Sequence, residues 1–352
     1  MSTARKMPRI PALDGWRGIS ILLVMMGHLL PLGPKRWQLN GTAAADGMAI
    51  FFCLSGFLIT STLIYRPNVR EFLIRRLCRI VPLSWAYTII VLTALHASPR
   101  IMVAQLLFFS NYPPFYLTEL TGHLWSLCVE VQFYLTIALL FALMRRRGLL
   151  LLPLLCLLVT ALRVATHTQS SIVTHLRADE ILAGACLAIM VERPGFLRIR
   201  QAMSSGWIPM LLIPLALASG AASSGSLQYL RPYLVALMVG QTLLLVPCRL
   251  ERLLSSRKLA FVAEISYALY ILHPLCAAGW LGTGPKLLRY PARFIAIGAV
   301  VMLATLSTKY YEHWWIAQGK RWSRHLTSRS VADLARDVVR PADQPAAQSE
   351  SG

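Results

Sequence analysis

Residues 44–65 read AADGMAIFFCLSGFLITSTLIY, a run of 22 mostly apolar residues. A helix needs roughly 20 such residues to cross the hydrocarbon core of a bilayer. This stretch is therefore long enough and apolar enough to span a membrane. It predicts that the chain is a membrane protein.

Similar apolar segments recur on both sides of residues 44–65. We expect nine further spanning helices, at 17–33, 81–97, 123–144, 149–166, 178–193, 207–222, 229–247, 260–281 and 292–312. Residues 101–110 are apolar but too short to span, and they predict an interfacial or re-entrant piece. The expected fold class is all-α, a polytopic integral membrane bundle of about ten transmembrane helices.

The composition agrees with a lipid environment. Hydrophobic residues make up 56% of the 352 residues and charged residues 14%, whereas a soluble domain carries about a quarter charged residues. The 35 Lys and Arg outnumber the 15 Asp and Glu, which gives a net charge of +20. These basic residues form short clusters between apolar segments, without a basic stripe or a recognition helix. We therefore expect no nucleic-acid partner.

The basic clusters predict the orientation of the chain. With the N-terminus in the cytoplasm, 26 of the 35 basic residues fall in cytoplasmic segments, as the positive-inside rule requires. An even number of spans then places both termini in the cytoplasm. The first apolar run is interpreted as an uncleaved helix rather than a signal peptide. We expect a transmembrane domain over residues 1–325 and a disordered cytoplasmic tail over residues 326–352.

Two ionisable residues share the first predicted helix. Arg17 and His28 are eleven residues apart, so they lie on one face about 16 Å apart along the helix axis. Ionisable groups at membrane depth are costly and mark functional sites by default. Histidine has the unperturbed pKa best suited to proton transfer near neutral pH. The alternative is that His28 only hydrogen-bonds a neighbouring helix.

Further polar residues lie at or near membrane depth. Arg76 and Arg79 are three residues apart and share a helical face, where they can bind a phosphate or serve only as topogenic charge. Glu130 can orient a catalytic group, bind substrate or form a structural ion pair. Tyr270 and His273 belong to a polar stripe that lines either a cavity or a packed interhelical seam. No cysteine or histidine spacing indicates a metal site.

These segments together resemble the acyltransferase 3 family of membrane-bound O-acyltransferases. Six motifs carry the resemblance in order along the chain, at residues 13–28, 51–57, 72–82, 124–134, 177–184 and 266–274. The chain resembles the standalone members, which carry no additional hydrolase-like domain. One departure is that Glu130 is followed by Val131, where the family carries a second glutamate.

The resemblance implies an enzyme of a bacterial inner membrane that moves an acyl group, acetyl by analogy, from acyl-CoA to a hydroxyl of an acceptor. The acceptor would be a glycan, a lipid-linked sugar or another envelope molecule, and no cofactor is expected to be bound. The implied catalytic residues are His28 as general base with Glu130 and Arg17. Arg76 and Arg79 would bind acyl-CoA. The implied substrate-binding residues are Asp179, Tyr270 and His273.

A polytopic transporter, or a carrier of the acyl donor without transferase chemistry, is the alternative function. A transporter fits a helical bundle with buried polar residues. It would more naturally show related halves and helices broken at corresponding positions, and neither pattern occurs in this sequence. Asp179 also has a structural alternative, because residues 177–180 can form a local ion-pair cluster.

Overall fold

The computed structural model describes residues 10–193, 195, 208–243 and 249–339. It is 81% helical, and the described residues contain no strand. Fifteen α-helices follow one another in this part of the chain. The first eight are α1 Pro11–Leu29, α2 Leu39–Tyr65, α3 Val69–Ala94, α4 Pro99–Leu106, α5 Trp125–Met144, α6 Leu152–Ala165, α7 Asp179–Val191 and α8 Ile208–Ala218. The next seven are α9 Leu227–Thr242, α10 Arg249–Leu254, α11 Arg257–Glu264, α12 Ser266–Leu272, α13 Trp280–Thr283, α14 Lys286–Leu306 and α15 His313–Val339.

Four helical segments of the described chain are long and apolar enough to cross a membrane. They are Lys35–Tyr65, Val69–Ala94, Gly122–Ala165 and Lys286–Leu326. A fifth is added if the pair Arg257–Glu264 and Ser266–Ala277, bent by 55°, forms one span. The structure thus supports a helical membrane protein, and the count of ten spans stays a prediction.

Most predicted spans differ from the helices at their ends, but the predicted span 260–281 is divided among several short helices, with a 55° bend after Glu264. Helix α3 begins at Val69, twelve residues before the predicted span 81–97, and the side chain of Asn68 caps it by accepting a hydrogen bond from the Glu71 amide. Hydropathy detects only the apolar part of a helix, so the charged first turns of α3 were outside the predicted span. The short predicted piece at 101–110 corresponds to α4, which has eight residues.

Some predicted segments extend beyond the described residues. Residue 207 and residues 244–247 lie at the ends of the predicted spans 207–222 and 229–247, and they are outside the described part. Helix α15 continues to Val339, past the expected domain boundary at residue 325. Residues 340–352 are also outside the described part, so the disordered tail stays a prediction.

Helix α2 is the centre of the bundle and packs against α1, α7 and α9. Its crossing with α7 is very close, because Gly56 faces the Ile181 carbonyl and Gly184 faces the Cys53 carbonyl. A β-carbon at either glycine would overlap backbone atoms of the other helix. Small residues at a crossing allow this approach, which is how helices in membranes gain van der Waals contact.

We expect Gly184→Ala to destabilise the α2–α7 crossing by about 1–3 kcal/mol, because the new methyl group forces two backbones apart. The measurement is thermal unfolding of the detergent-solubilised protein, followed by size-exclusion chromatography. Gly298→Ala in α14 is the matched control, since a β-carbon at Gly298 meets no atom within 4 Å. Equal melting temperatures for the two variants would contradict the prediction.

Candidate active site

A small cleft of about 40 Å³ lies against one face of α1. Its wall on α1 is a stripe at helical spacing, Arg17, Ser20, Ile21 and Val24. The facing walls come from four other helices and consist of Met48, Phe51, Ser55, Arg76, Arg79, Ile80, Glu130, Tyr134, Ser266, Tyr267 and Tyr270. The cleft therefore brings together residues from five segments that are distant in the sequence.

The charges of the cleft favour an anionic ligand. Arg17, Arg76 and Arg79 outnumber Glu130, which is the single carboxylate among the lining residues. The Arg76 guanidinium donates to the Leu58 carbonyl at 3.3 Å and to the Thr62 hydroxyl at 3.2 Å, so its direction is fixed. Three fixed or partly buried guanidinium groups form a ready binding site for phosphate oxygens.

Glu130 is held at the side of the cleft. It is 5% exposed and accepts a hydrogen bond from the Tyr134 hydroxyl at 2.7 Å. The Arg76 guanidinium lies 5.9 Å from the centre of the Tyr134 ring. Glu130 thus belongs to the arginine end of the cleft, and its hydrogen bond goes to Tyr134 rather than to His28.

The face of α1 that lines the cleft continues to His28, which contacts His273 from a later segment of the chain. His28 lies one helical turn beyond Val24, about 6 Å along the axis. Its Nδ1 is 2.9 Å from Nε2 of His273, and the two rings are stacked with an interplanar angle of 14°. His28 is exposed, whereas His273 is 1% exposed. The accessible imidazole is therefore supported by a buried one.

A second set of polar groups surrounds His273. The Tyr270 hydroxyl lies 2.6 Å from the Ser126 hydroxyl and donates to the His123 carbonyl. The ring of His123 packs edge-on against His273, with centroids 5.1 Å apart. His123 is 8% exposed, and neither of its ring nitrogens has a side-chain hydrogen-bond partner among the described residues. The His273 ring therefore lies between the rings of His28 and His123.

The end of α1 that carries His28 is also held from outside the helix. The Asn40 amide donates to the Gly27 carbonyl at 2.9 Å and to the Leu30 carbonyl at 2.5 Å. The Arg293 guanidinium donates to the Leu29 carbonyl at 2.9 Å. Carbonyls at a helix C-terminus lack intrahelical donors. Asn40 and Arg293 satisfy them and thereby stabilise the position of His28.

Asp179 lies in a different part of the molecule. It is fully buried and forms an ion pair with Arg163, and it does not line the cleft. Its neighbour Glu180 pairs with Arg231 at 2.7 Å and with Arg177 at 3.1 Å. Within residues 177–180 only Arg177 and Glu180 form an ion pair with one another, whereas Asp179 pairs with Arg163 of α6. The substrate-binding role of Asp179 stays a prediction.

Of the residues expected from the sequence, five line the cleft: Arg17, Arg76, Arg79, Glu130 and Tyr270. His28 and His273 adjoin one another at its far end, although the sequence offered no reason to pair them. Sequence reasoning missed Ser126 and Asn40 as supporting residues. His123 had a weak signal, since it lies two helical turns from Glu130, but its contact with His273 depends on the fold.

Comparison with known proteins supports an acyltransferase. The family model Acyl_transf_3, described as an acyltransferase domain, matches residues 10–310. A Staphylococcus aureus (strain COL) protein named "Putative O-acetyltransferase SACOL0978" is 33% identical over 156 residues, which cover 37% of this chain and 24% of that protein. The "O-acetyltransferase OatA" of Staphylococcus aureus (strain NCTC 8325 / PS 47) is 33% identical over 149 residues, which cover 36% of this chain and 24% of that protein.

The chain thus spans about a quarter of the length of the curated relatives it matches. No solved structure matches it. The family match, in contrast, extends across the cleft, the histidine pair and most of the helical bundle. The chain therefore belongs to the acyltransferase 3 family.

Proposed function

We propose that this protein is a membrane-bound O-acyltransferase that moves an acyl group, acetyl by analogy with the named relatives, from acyl-CoA to a hydroxyl. The acceptor is a glycan, a lipid-linked sugar or another envelope molecule. The observation that carries the proposal is one continuous face of α1, with arginines at one end of the cleft and the histidine pair just beyond the other end. The site lies in a bacterial inner membrane, within ten spans and with both termini cytoplasmic.

The donor enters from the arginine end. Acyl-CoA carries phosphates on its nucleotide half, and its long pantetheine arm ends in the thioester. Arg76 and Arg79 bind the phosphates, and the arm follows the α1 stripe past Ile21 and Val24 toward His28. Arg17 and Glu130 line the same part of the cleft, so they position the donor beside Arg76 and Arg79.

A second cavity adjoins the cleft and has room for the nucleotide. It has a volume of about 350 Å³ and shares Arg76 with the cleft. Arg66 and Arg75 line it, and both pair with Glu71, at 3.6 Å and 2.7 Å. Tyr65 adds an aromatic surface. The cavity is net positive, which suits the adenosine phosphates of CoA.

His28 acts as general base on the acceptor hydroxyl. The hydroxyl proton moves to the His28 ring while the oxygen bonds to the thioester carbonyl carbon. The carbon–sulfur bond then breaks, and the proton on His28 passes to the departing sulfur to give free CoA and the ester. Because His28 is exposed and lies at the end opposite the arginines, the acceptor reaches it from that side.

Transfer of labelled acetyl from acetyl-CoA, in membranes that contain this protein and native acceptors, tests the proposal. We expect the label to enter a glycan or lipid fraction only when the protein is present, with release of one free CoA per ester formed. Membranes of the host without the protein are the control. Uptake of label into vesicles without ester formation would instead identify a carrier of the acyl donor.

A further inference from the structure

The hydrogen bonds of His273 determine where its proton lies. Its Nδ1 is 2.7 Å from the Tyr270 carbonyl oxygen, which can only accept a hydrogen bond. Nδ1 of His273 therefore carries a hydrogen. In a neutral imidazole only one nitrogen is protonated, so Nε2 of His273 is an acceptor.

The same reasoning extends to His28. Its Nδ1 lies 2.9 Å from Nε2 of His273, and a hydrogen must lie between them for this to be a hydrogen bond. Because Nε2 of His273 accepts, Nδ1 of His28 donates. The only nitrogen of His28 with a free lone pair is then Nε2, and a general base needs a free lone pair.

The opposite arrangement is unfavourable. If His28 were protonated on Nε2 only, His273 would have to donate from both nitrogens and would be an imidazolium cation. His273 is 1% exposed, and none of its hydrogen bonds in the described part of the structure goes to a carboxylate. A buried cation without a counter-ion costs several kcal/mol.

We propose that His273 is a positioning residue that holds His28 in the tautomer protonated on Nδ1, with Nε2 free as the base. The inference rests on the proposed role of His28. It replaces the substrate-binding role expected for His273 from the sequence. A neutral imidazole here fills the place that an aspartate fills in a Ser–His–Asp triad, where the carboxylate orients the histidine.

The supporting contacts keep His273 in this role throughout the reaction. When Nε2 of His28 takes the acceptor proton, Nδ1–H still points at His273 and the new positive charge is shared across that hydrogen bond. Proton transfer to the sulfur then restores the starting tautomer. The Tyr270 carbonyl prevents His273 from rotating, and Tyr270 is itself fixed by Ser126.

The kinetic test compares His273→Phe with His273→Gln. Phenylalanine keeps a flat ring but offers no acceptor, whereas the glutamine amide oxygen reaches about as far as Nε2 and can accept from His28. We expect His273→Phe to lower kcat by about 10²-fold with little change in the KM for acyl-CoA, and His273→Gln to recover at least 10-fold of that loss. Equal activity of the two variants would overturn the proposal.

A spectroscopic test reads the tautomer directly. With ¹⁵N-labelled histidine, solid-state NMR distinguishes protonated from unprotonated ring nitrogens, and the His28→Ala variant assigns the His28 signals. We expect protonated Nδ1 in the wild type and in His273→Gln, and loss of that preference in His273→Phe. An unprotonated Nδ1 in the wild type would overturn the inference even if His28 is essential. A fully active His28→Ala variant would instead remove the general-base function itself.

Discussion

His28→Ala should reduce acyl transfer by about 10²–10⁴-fold, the range that a positioned general base contributes. The alanine removes the lone pair that accepts the hydroxyl proton, and it leaves Nε2 of the buried His273 without its hydrogen-bond partner. Binding of acyl-CoA should persist, because the arginine end of the cleft lies about 16 Å away along α1. Initial rates with labelled acetyl-CoA, together with donor binding to the purified variant, measure both effects.

His175→Ala is the matched control for this experiment. His175 is exposed, does not line the cleft, and contacts Tyr112. It should retain wild-type transfer. Full activity of His28→Ala, at normal expression in the membrane, would exclude the general-base role and would shift attention to His123, which lies in the same cluster and has no hydrogen-bond partner among the described side chains.

The double variant Arg76→Gln/Arg79→Gln should raise the KM for acyl-CoA by about 10²-fold or more. A hydrogen bond to a charged group is worth about 1.5–3 kcal/mol, and 1.4 kcal/mol corresponds to a factor of 10. Glutamine retains a donor but loses the charge and the fork of the guanidinium. We expect kcat at saturating donor to fall much less, since the histidine pair is intact. Steady-state kinetics over a range of acyl-CoA concentrations separate the two parameters.

The comparison for the arginine pair is Arg100→Gln. Arg100 is exposed at the start of α4 and lies outside the cleft, so the loss of its charge should leave the KM unchanged. The KM for a short thioester without the nucleotide should be insensitive to both variants. An unchanged KM for acyl-CoA in the double variant would show that the arginines serve the packing of α3 and not the donor.

The class of protein could be established from the sequence alone. Long apolar runs such as residues 44–65 predict membrane helices because lipid requires about 20 apolar residues in a row, and that requirement can be read locally. Helical spacing is also local. It is enough to place Arg17 with His28, and Arg76 with Arg79, on common helical faces.

Helix ends and the number of spans are harder to predict from the sequence. Helix α3 starts at Val69 because its charged first turns continue the same hydrogen-bonded helix, although hydropathy falls there. Asp179 illustrates a related problem, since an acid at the start of an apolar run is equally consistent with a substrate site and a buried ion pair. Its pairing with Arg163 depends on how α6 and α7 pack.

The composition of the site, in contrast, follows from tertiary packing. His28 and His273 are separated by 245 residues, and no periodicity in the chain relates them. Their contact arises because α1 packs against the short helical segment His273–Ala277 that follows α12. Asn40 and Arg293 hold the end of α1 in place by hydrogen bonds to its carbonyls. The order of amino acids specifies which residues are chemically able to act. The packing of the helices selects which of them meet, because local patterns constrain a helix face but not the partner that this face contacts.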